Sequence, residues 1–201
     1  MRLFVLGATG GTGSALTRQA LERGHGVTAF VRAPDELSAR HERLQVVGGD
    51  PRNPDELMRA LGGHDAVLST LGARSRAPTT LLGDAARSTL EAMGQTGLRR
   101  LVVVSSALLF PDGGALRRLF RFIFRNALAD SLVMEGLVAA GDLDWTVVRP
   151  PRLTDAKPRG RYRVAAHFPP AGSIARADLA RCMLDAVQER THLGTVIGVS
   201  R

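Results

Sequence analysis

Short apolar runs alternate along the chain with longer stretches in which apolar residues recur at helical spacing. The runs predict strands at residues 3–6, 27–31, 44–47, 66–69, 101–105, 145–148, 162–164 and 195–199. The stretches between them predict helices at residues 14–23, 55–61, 79–93, about 115–140 and about 176–189. Apolar strands alternating with helices are typical of a parallel sheet covered on both faces. The pattern therefore predicts an α/β fold with a doubly wound parallel sheet.

No internal repeat or low-complexity linker divides this pattern, so residues 1–201 are predicted to form a single domain. After Pro151 the alternation becomes less regular, with Pro, Gly and Arg residues at 157–160. Ligands of open α/β folds bind at the carboxyl edge of the sheet. We therefore expect residues 151–201 to contribute a small cap on the substrate side.

The composition is that of a globular protein, with 44% apolar and 23% charged residues, which excludes a disordered or collagen-like chain. The apolar runs are too short for a transmembrane helix and no signal peptide is evident, so we expect a cytoplasmic protein without integral membrane association. The single Cys182 excludes an internal disulfide, and the histidines show no metal-ligand spacing, so no metal site is expected.

Basic residues outnumber acidic ones, with 27 Lys and Arg against 19 Asp and Glu, a formal net charge of +8. A positive balance favours anionic partners such as phosphorylated cofactors. The arginines are mostly scattered along the chain, however, so nucleic acid is not expected as a partner.

A glycine-rich turn, Gly7-Ala8-Thr9-Gly10-Gly11-Thr12-Gly13, links the first predicted strand to the first helix. Its Gly-x-x-Gly-x-x-Gly spacing is a variant of the dinucleotide-binding fingerprint, in the strand–helix context that the fingerprint requires. Glycines allow a tight turn and close approach of the backbone to a pyrophosphate, and the amides at the helix N-terminus meet its charge. The residues predicted to hold the pyrophosphate are Gly7, Thr9, Gly10, Gly11, Thr12 and Gly13.

Charged residues follow the next two predicted strands. Arg32 stands where NAD-dependent proteins place a carboxylate that binds the ribose 2′-hydroxyl. Its planar guanidinium suits a 2′-phosphate, so NADP(H) is predicted in preference to NAD(H); the alternative is an ordinary surface arginine. Asp50 is predicted either to accept a hydrogen bond from the adenine amino group or to cap the next helix.

With these motifs in place, the chain resembles the atypical short-chain dehydrogenases/reductases, the group of NmrA-like proteins and the flavin reductase/biliverdin-IXβ reductase family. The resemblance covers nearly all of the chain and rests on the order and spacing of its motifs. These motifs are residues 7–13, Val31-Arg32, Gly49-Asp50, residues 65–74, Ala77-Pro78-Thr79-Thr80, Ser105-Ser106-Ala107, Val148-Arg149-Pro150-Pro151 and residues 175–180.

The resemblance implies a Rossmann fold and roles for several residues. Thr12 and its glycine neighbours would hold the pyrophosphate, and Arg32 the 2′-phosphate. Ser106 would lie beside the nicotinamide and donate a hydrogen bond to a substrate carbonyl; the alternative is a helix cap, and its neighbour Ser105 could exchange roles with it. The other residues implied to line the cofactor are Leu71, Gly72, Arg74, Pro150 and Pro151.

Two departures from related families bear on the chemistry. Ordinary short-chain dehydrogenases use a Tyr-x-x-x-Lys pair, whereas here the only tyrosine, Tyr162, is followed four residues later by Ala166. Flavin/biliverdin-type reductases often have a histidine after the Pro-Pro pair, and this chain has Arg152. Arginine stays protonated and cannot serve as a general acid, but it can hold an acidic group or stabilise negative charge as hydride arrives.

Residues 116–125 contain four arginines, three phenylalanines and no acidic residue. On a helix, Arg117, Arg121 and Arg125 would form one basic stripe. The segment is predicted to be a lid over the substrate pocket with a solvated basic face; the alternative is a helix that binds a membrane surface or another anionic partner.

The leading functional prediction is an NADPH-dependent reductase, monomeric or homodimeric, that transfers hydride to a conjugated small molecule such as a flavin, quinone or carbonyl. One alternative is a non-catalytic NADP(H)-binding regulator of the NmrA kind. Another is an isomerase or dehydratase that retains its cofactor.

Overall fold

Strands and helices alternate along residues 1–73, 75–111, 114–166 and 172–200, which the computed structural model describes. The first half contains β1 (Arg2–Leu6), α1 (Gly11–Glu22), β2 (Gly26–Val31), β3 (Leu44–Gly48), α2 (Pro54–Leu61), β4 (Ala66–Ser69) and α3 (Leu81–Thr96). The second half contains β5 (Arg100–Val104), α4 (Ala115–Ile123), α5 (Arg125–Ala140), β6 (Asp144–Arg149), β7 (Arg152–Thr154), β8 (Arg163–Ala166), β9 (Ser173–Ala175), α6 (Arg176–Gln188) and β10 (Thr195–Ser200).

Eight of the strands form one sheet in the order β3-β2-β1-β4-β5-β6-β10-β8. All of its neighbouring pairs are parallel except β10 and β8. From β1 the chain builds outward to β2 and β3, and it then returns to the other side of β1 with β4. This reversal opens a crevice at the carboxyl ends of β1 and β4, the place where ligands bind in such sheets. The predicted doubly wound α/β fold is confirmed.

Two buried layers hold the sheet between its helices. In β1, Leu3 and Val5 pack in the layer that also contains Leu16 of α1 and Leu179 of α6. Phe4 and Leu6 pack in the opposite layer, formed with residues of α2, α3 and α5. Successive strand residues point to opposite faces, so a strand buried on both sides must be apolar throughout.

All eight predicted strands occur, within one or two residues at their ends. The short strands β7 and β9 were not predicted; they pair in parallel as a separate two-stranded sheet directly after Pro150 and Pro151. Of the carboxyl-terminal region, β8 and β10 extend the main sheet, and α6 packs along α1. None of the helices in the described residues could span a membrane.

The predicted solvated basic face at residues 116–125 forms only in part, and the role of the segment as a lid stays a prediction. Helix α4 ends at Ile123, and Arg125 begins α5, so the stripe is interrupted. Arg117 donates a hydrogen bond to the Ala107 carbonyl, and Arg121 Nε donates one to the Leu108 carbonyl at 2.8 Å. Because the carbonyls of the turn at 107–111 accept these hydrogen bonds, the two arginines point toward the protein and the apolar side chains of α4 point toward solvent.

Candidate functional site

The glycine-rich turn closes tightly against the loop that follows β4. Gly7 has a φ of +81°, a conformation that glycine adopts without strain. Thr70 Oγ1 donates hydrogen bonds to the carbonyls of Leu6 and Gly7, at 3.0 and 3.2 Å. A Cβ on Gly13 would lie 2.1 Å from the Gly7 carbonyl oxygen and 2.7 Å from Thr70 Oγ1. The turn therefore requires glycine at both positions.

The first turn of α1 presents its amides to the crevice. The N-cap residue, Gly10, has no side chain that could accept hydrogen bonds from these amides. Among the described residues, no acceptor takes a hydrogen bond from the amides of residues 11–13. The Ser14 amide is the first in the helix to have an acceptor, the Gly10 carbonyl at 2.8 Å. Free amides at a helix N-terminus bind phosphate groups. The turn and the helix start together fit a pyrophosphate.

Arg176, the first residue of α6, covers the start of α1 and was not predicted individually. A Cβ on Gly11 would lie 2.7 Å from Arg176 Cδ and 3.8 Å from Cζ, so the absence of a side chain at Gly11 makes room for the arginine. Arg176 Nη1 also donates to Asp155 Oδ1 at 2.7 Å. A cation therefore stands beside the free amides. In the sequence, Arg176 was indicated only by its position in the motif at residues 175–180.

Arg32 follows β2 and is exposed, and no described residue forms a hydrogen bond or ion pair with it. A hydrogen bond from Arg52 lowers the pKa of the nearby Asp50 carboxyl, and the positive charge of Arg32 adds to that effect. The alternative that Asp50 caps α2 is wrong. Asn53 is the N-cap and accepts from the amides of Asp55 and Glu56, while Asp50 binds Arg52.

Ser105 and Ser106 follow β5 at the carboxyl edge of the sheet. The Ser105 hydroxyl oxygen is buried and has no hydrogen-bond partner among the described residues. Ser106 Oγ accepts from the Leu108 amide at 3.2 Å and so caps a short 3₁₀ turn at 107–109, as one of the two predictions for it required. A hydroxyl that accepts in this way can still donate its proton to a ligand.

The remaining predicted residues lie around the same edge. Pro150 is buried, and its carbonyl accepts from the Ala107 amide at 2.9 Å. Leu71 and Pro151 are half-buried, while Gly72 is exposed. Arg152, the first residue of β7, is exposed. Arg74, also predicted to line the cofactor, lies outside the described residues.

Tyr162 lies far from the glycine-rich turn. Its hydroxyl donates to Asp185 Oδ2 at 2.6 Å, and Asp185 also accepts from Arg23, at the carboxyl end of α1. Burial and this hydrogen bond raise the pKa of the phenol. A helix of this length is about 18 Å long at the usual rise per residue, so Tyr162 and the turn stand at opposite ends of α1. The described residues contain no cluster of His, Cys, Asp and Glu that could hold a metal ion.

Comparisons with known proteins agree with this geometry. A family described as NAD(P)H-binding matches residues 7–190. An uncharacterized chloroplastic protein of Arabidopsis thaliana is 29% identical over 217 residues, which cover 100% of this chain and 77% of that protein. Photosystem II assembly factor Ycf39 of Synechocystis is 30% identical over 109 residues, which cover 52% of this chain and 33% of Ycf39.

Solved structures show the same fold. A Rossmann-fold NAD(P)-binding protein of Shigella flexneri is 25% identical, with a TM-score of 0.77, covering 100% of this chain and 93% of that one. A short-chain dehydrogenase/reductase of Veillonella parvula in complex with NADP gives a TM-score of 0.83 at 21% identity, covering 100% and 94%. The anaerobillin reductase ChuY of Escherichia coli O157:H7 gives 0.82 at 22% identity, covering 99% and 96%.

The family match spans most of the chain, and it includes the glycine-rich turn, both serines after β5 and Arg176. It confirms the resemblance to atypical short-chain dehydrogenases/reductases and the binding of a nicotinamide cofactor. The chain therefore belongs to the NAD(P)H-binding family, and it has a Rossmann fold.

Proposed function

We propose that this protein is a reductase that uses NADPH to reduce a conjugated small molecule, such as a flavin, quinone or carbonyl compound. The observation that carries the proposal is the group of cationic and amide donors at the crevice. The free amides of residues 11–13 and the guanidinium of Arg176 fit a pyrophosphate, and the exposed Arg32 fits a 2′-phosphate.

Bound NADPH would supply a hydride, and the residues of the chain would bind and orient the acceptor. The free hydrogen of the Ser106 hydroxyl would donate to an acceptor oxygen. The fixed charge of Arg152 would hold an acidic group or stabilise negative charge as it develops. The buried hydroxyl of Ser105, which has no hydrogen-bond partner among the described residues, would form a hydrogen bond with the cofactor.

The proton would come from water, because neither Ser106 nor Arg152 is an acid at working pH. General acid catalysis is typically worth about 10²–10⁴-fold. An enzyme without it needs an acceptor that is already electrophilic, such as an oxidised flavin or a quinone. The proposed substrates are therefore conjugated acceptors.

A non-catalytic role as an NADP(H)-binding regulator is the second candidate. It is favoured by the place of Tyr162, whose hydroxyl is engaged by Asp185 at the opposite end of α1 from the turn. The name of Ycf39, an assembly factor, supports the same idea for this type of fold.

The test between the two is a screen of NADPH oxidation, followed by absorbance, with flavins, quinones and aromatic ketones as acceptors. We expect turnover with at least one conjugated acceptor. Absence of turnover with every acceptor, combined with a protein partner recovered in pull-down experiments, would favour the regulator. The same screen with Arg152→Ala should show a weaker apparent affinity for the acceptor and a smaller change in kcat.

Arg32→Ala is expected to weaken NADPH binding by about 1–3 kcal/mol, the range for a lost hydrogen bond to a charged group. NADH has no 2′-phosphate, so its affinity should hardly change. Arg176→Ala is the matched variant, because a residue beside the pyrophosphate should weaken both nucleotides to the same extent. Fluorescence titration of each variant with NADPH and NADH measures both effects. Binding of NADH by the unaltered protein that is as tight as that of NADPH, or tighter, would overturn the preference.

Ser106→Ala is expected to lower the rate of reduction about tenfold, if it removes one neutral hydrogen bond of about 1–1.5 kcal/mol. Tyr162→Phe should leave the rate nearly unchanged, because the phenol binds Asp185 away from the turn. Steady-state kinetics with NADPH in excess compares the two. A loss of a thousandfold or more in Tyr162→Phe, with NADPH affinity intact, would identify Tyr162 as an acid and refute the assignment of the proton to water.

A further inference from the structure

Helix α4 and Phe124, which follows it, carry large apolar side chains that remain exposed in the described structure. Leu116, Leu119 and Phe122 are 67%, 53% and 66% exposed, and none of the residues of α4 is buried. Phe120 and Phe124 add to this surface, with 41% and 37% exposed. Single exposed apolar residues are ordinary, but a cluster of this kind marks a surface that binds something. We call these five residues the α4 apolar surface.

The orientation of α4 is held by its arginines. Arg117 donates to the Ala107 carbonyl, and Arg121 donates to the carbonyls of Leu108 and Phe110, at 2.8 and 3.1 Å. Turning the α4 apolar surface toward the protein would break these bonds and expose the carbonyls they satisfy. The helix therefore presents the apolar side chains outward as part of its folded geometry.

The rim of this surface is positively charged. Arg118 is exposed, Arg125 lies over the Phe122 ring at 4.9 Å from its centroid, and Arg76 lies over Phe124 at 5.6 Å. The sequence from 114 to 129 contains no acidic residue. Among the described residues, no carboxylate forms an ion pair with any of these three arginines. Three arginines without an ion-pair partner among the described residues thus flank the apolar surface.

We propose that α4 docks the protein onto an anionic lipid bilayer surface. Helices that lie in the membrane interface combine Phe and Leu on one side with Arg or Lys around them, and they bind through apolar burial together with attraction to anionic headgroups. The arginine stems can follow the apolar surface while their guanidinium groups reach the phosphates. The association is peripheral, in keeping with the absence of a membrane-spanning helix among the described residues.

A second copy of the chain fits this surface less well. Two copies related by a two-fold axis place the same patch against itself. The arginine rim of one copy would then face the arginine rim of the other, and like charges across an interface oppose association. An anionic bilayer instead offers a counter-charge for every arginine. The proposal does not depend on the proposed reductase activity.

Vesicle flotation of the full chain tests the proposal. The unaltered protein is expected to float with vesicles of phosphatidylcholine mixed with phosphatidylglycerol at least about tenfold more than with phosphatidylcholine alone, and high salt should reduce this difference. Leu119→Ser/Phe122→Ser removes apolar side chains, and Arg118→Glu/Arg125→Glu reverses the rim charge. Each should lower flotation on the anionic vesicles about tenfold or more. Leu193→Ser, at an apolar residue 40% exposed outside α4, is the matched control and should leave flotation unchanged.

Thermal unfolding of each variant checks that the fold persists, since all of the altered side chains are exposed. Equal flotation on both kinds of vesicle, or none on either, would overturn the proposal. So would a dimer in analytical ultracentrifugation that Leu119→Ser/Phe122→Ser dissociates while anionic vesicles bind neither protein. That last result would assign the surface to a second copy.

Discussion

Gly13→Ala is expected to abolish detectable NADPH binding and to destabilise the protein. The new Cβ would stand 2.1 Å from the Gly7 carbonyl oxygen, a backbone atom in a turn that Thr70 also holds. Relief requires α1 to move away from β1, which displaces the amides predicted to bind the pyrophosphate. Overpacking of this kind typically costs about 1–3 kcal/mol and occasionally more. Fluorescence titration with NADPH and urea unfolding measure the two effects.

Gly136→Ala is the matched control for that substitution. Gly136 lies inside α5, and a Cβ built on it meets nothing within 4 Å. Alanine in a helix interior is more favourable than glycine by roughly 0.5–1 kcal/mol, so this variant should be slightly more stable and should bind NADPH normally. Normal NADPH affinity in Gly13→Ala would contradict the assignment of the glycine-rich turn as the pyrophosphate site.

Glu135→Ala is expected to cost about 3–5 kcal/mol of unfolding free energy, the range for breaking a buried ion pair on one side. Glu135 accepts two hydrogen bonds from Arg149, at 3.0 and 2.5 Å, and the two side chains are only 9% and 12% exposed. Arg149 also lies over the Phe110 ring, 4.8 Å from its centroid. Without Glu135, its guanidinium stays buried with no carboxylate, and urea unfolding should register the loss.

Two further variants separate the stability lost with the buried ion pair from the stability lost by shortening a side chain. Asp142→Ala removes the partner of Arg99 on the surface, where solvent screens the pair, and should change stability far less. Glu135→Leu/Arg149→Met removes both charges and should be more stable than Glu135→Ala, because no charge is left buried alone. If Glu135→Ala were no more destabilising than Asp142→Ala, the buried pair of Glu135 and Arg149 would not stabilise the contact between α5 and β6. Arg149 leads directly into Pro150 and Pro151, so cofactor affinity is expected to fall along with stability.

The regular part of the fold could be predicted from the sequence because it depends on local patterns. β1 is apolar at every position from Leu3 to Leu6, as a strand buried on both faces must be. The break at Phe124 between α4 and α5 could not be predicted, since no proline or glycine marks it and helical spacing continues across it. β7 and β9 have three residues each, too few for a pattern to show.

By itself the sequence determined the tight glycine-rich turn between β1 and α1. The spacing of Gly7, Gly10 and Gly13 between a strand and a helix places helix amides without a side-chain cap at the sheet edge. The conformations involved are properties of the glycines themselves, which tolerate a positive φ and a contact that any side chain would block. Such local requirements can be identified without knowing the rest of the fold.

Only the tertiary structure decided which distant side chains complete the site and the core. Arg176 reaches Gly11 because α6 packs along α1. Asp130 of α5 accepts hydrogen bonds from the backbone amides of Leu82 and Gly83 at the start of α3. Arg100 resembles any surface arginine in the sequence, yet it is 3% exposed and donates to carbonyls of β6 and α6, while burial lowers its pKa to about 10. These contacts join residues far apart in the chain, so their partners are set by packing and not by local pattern.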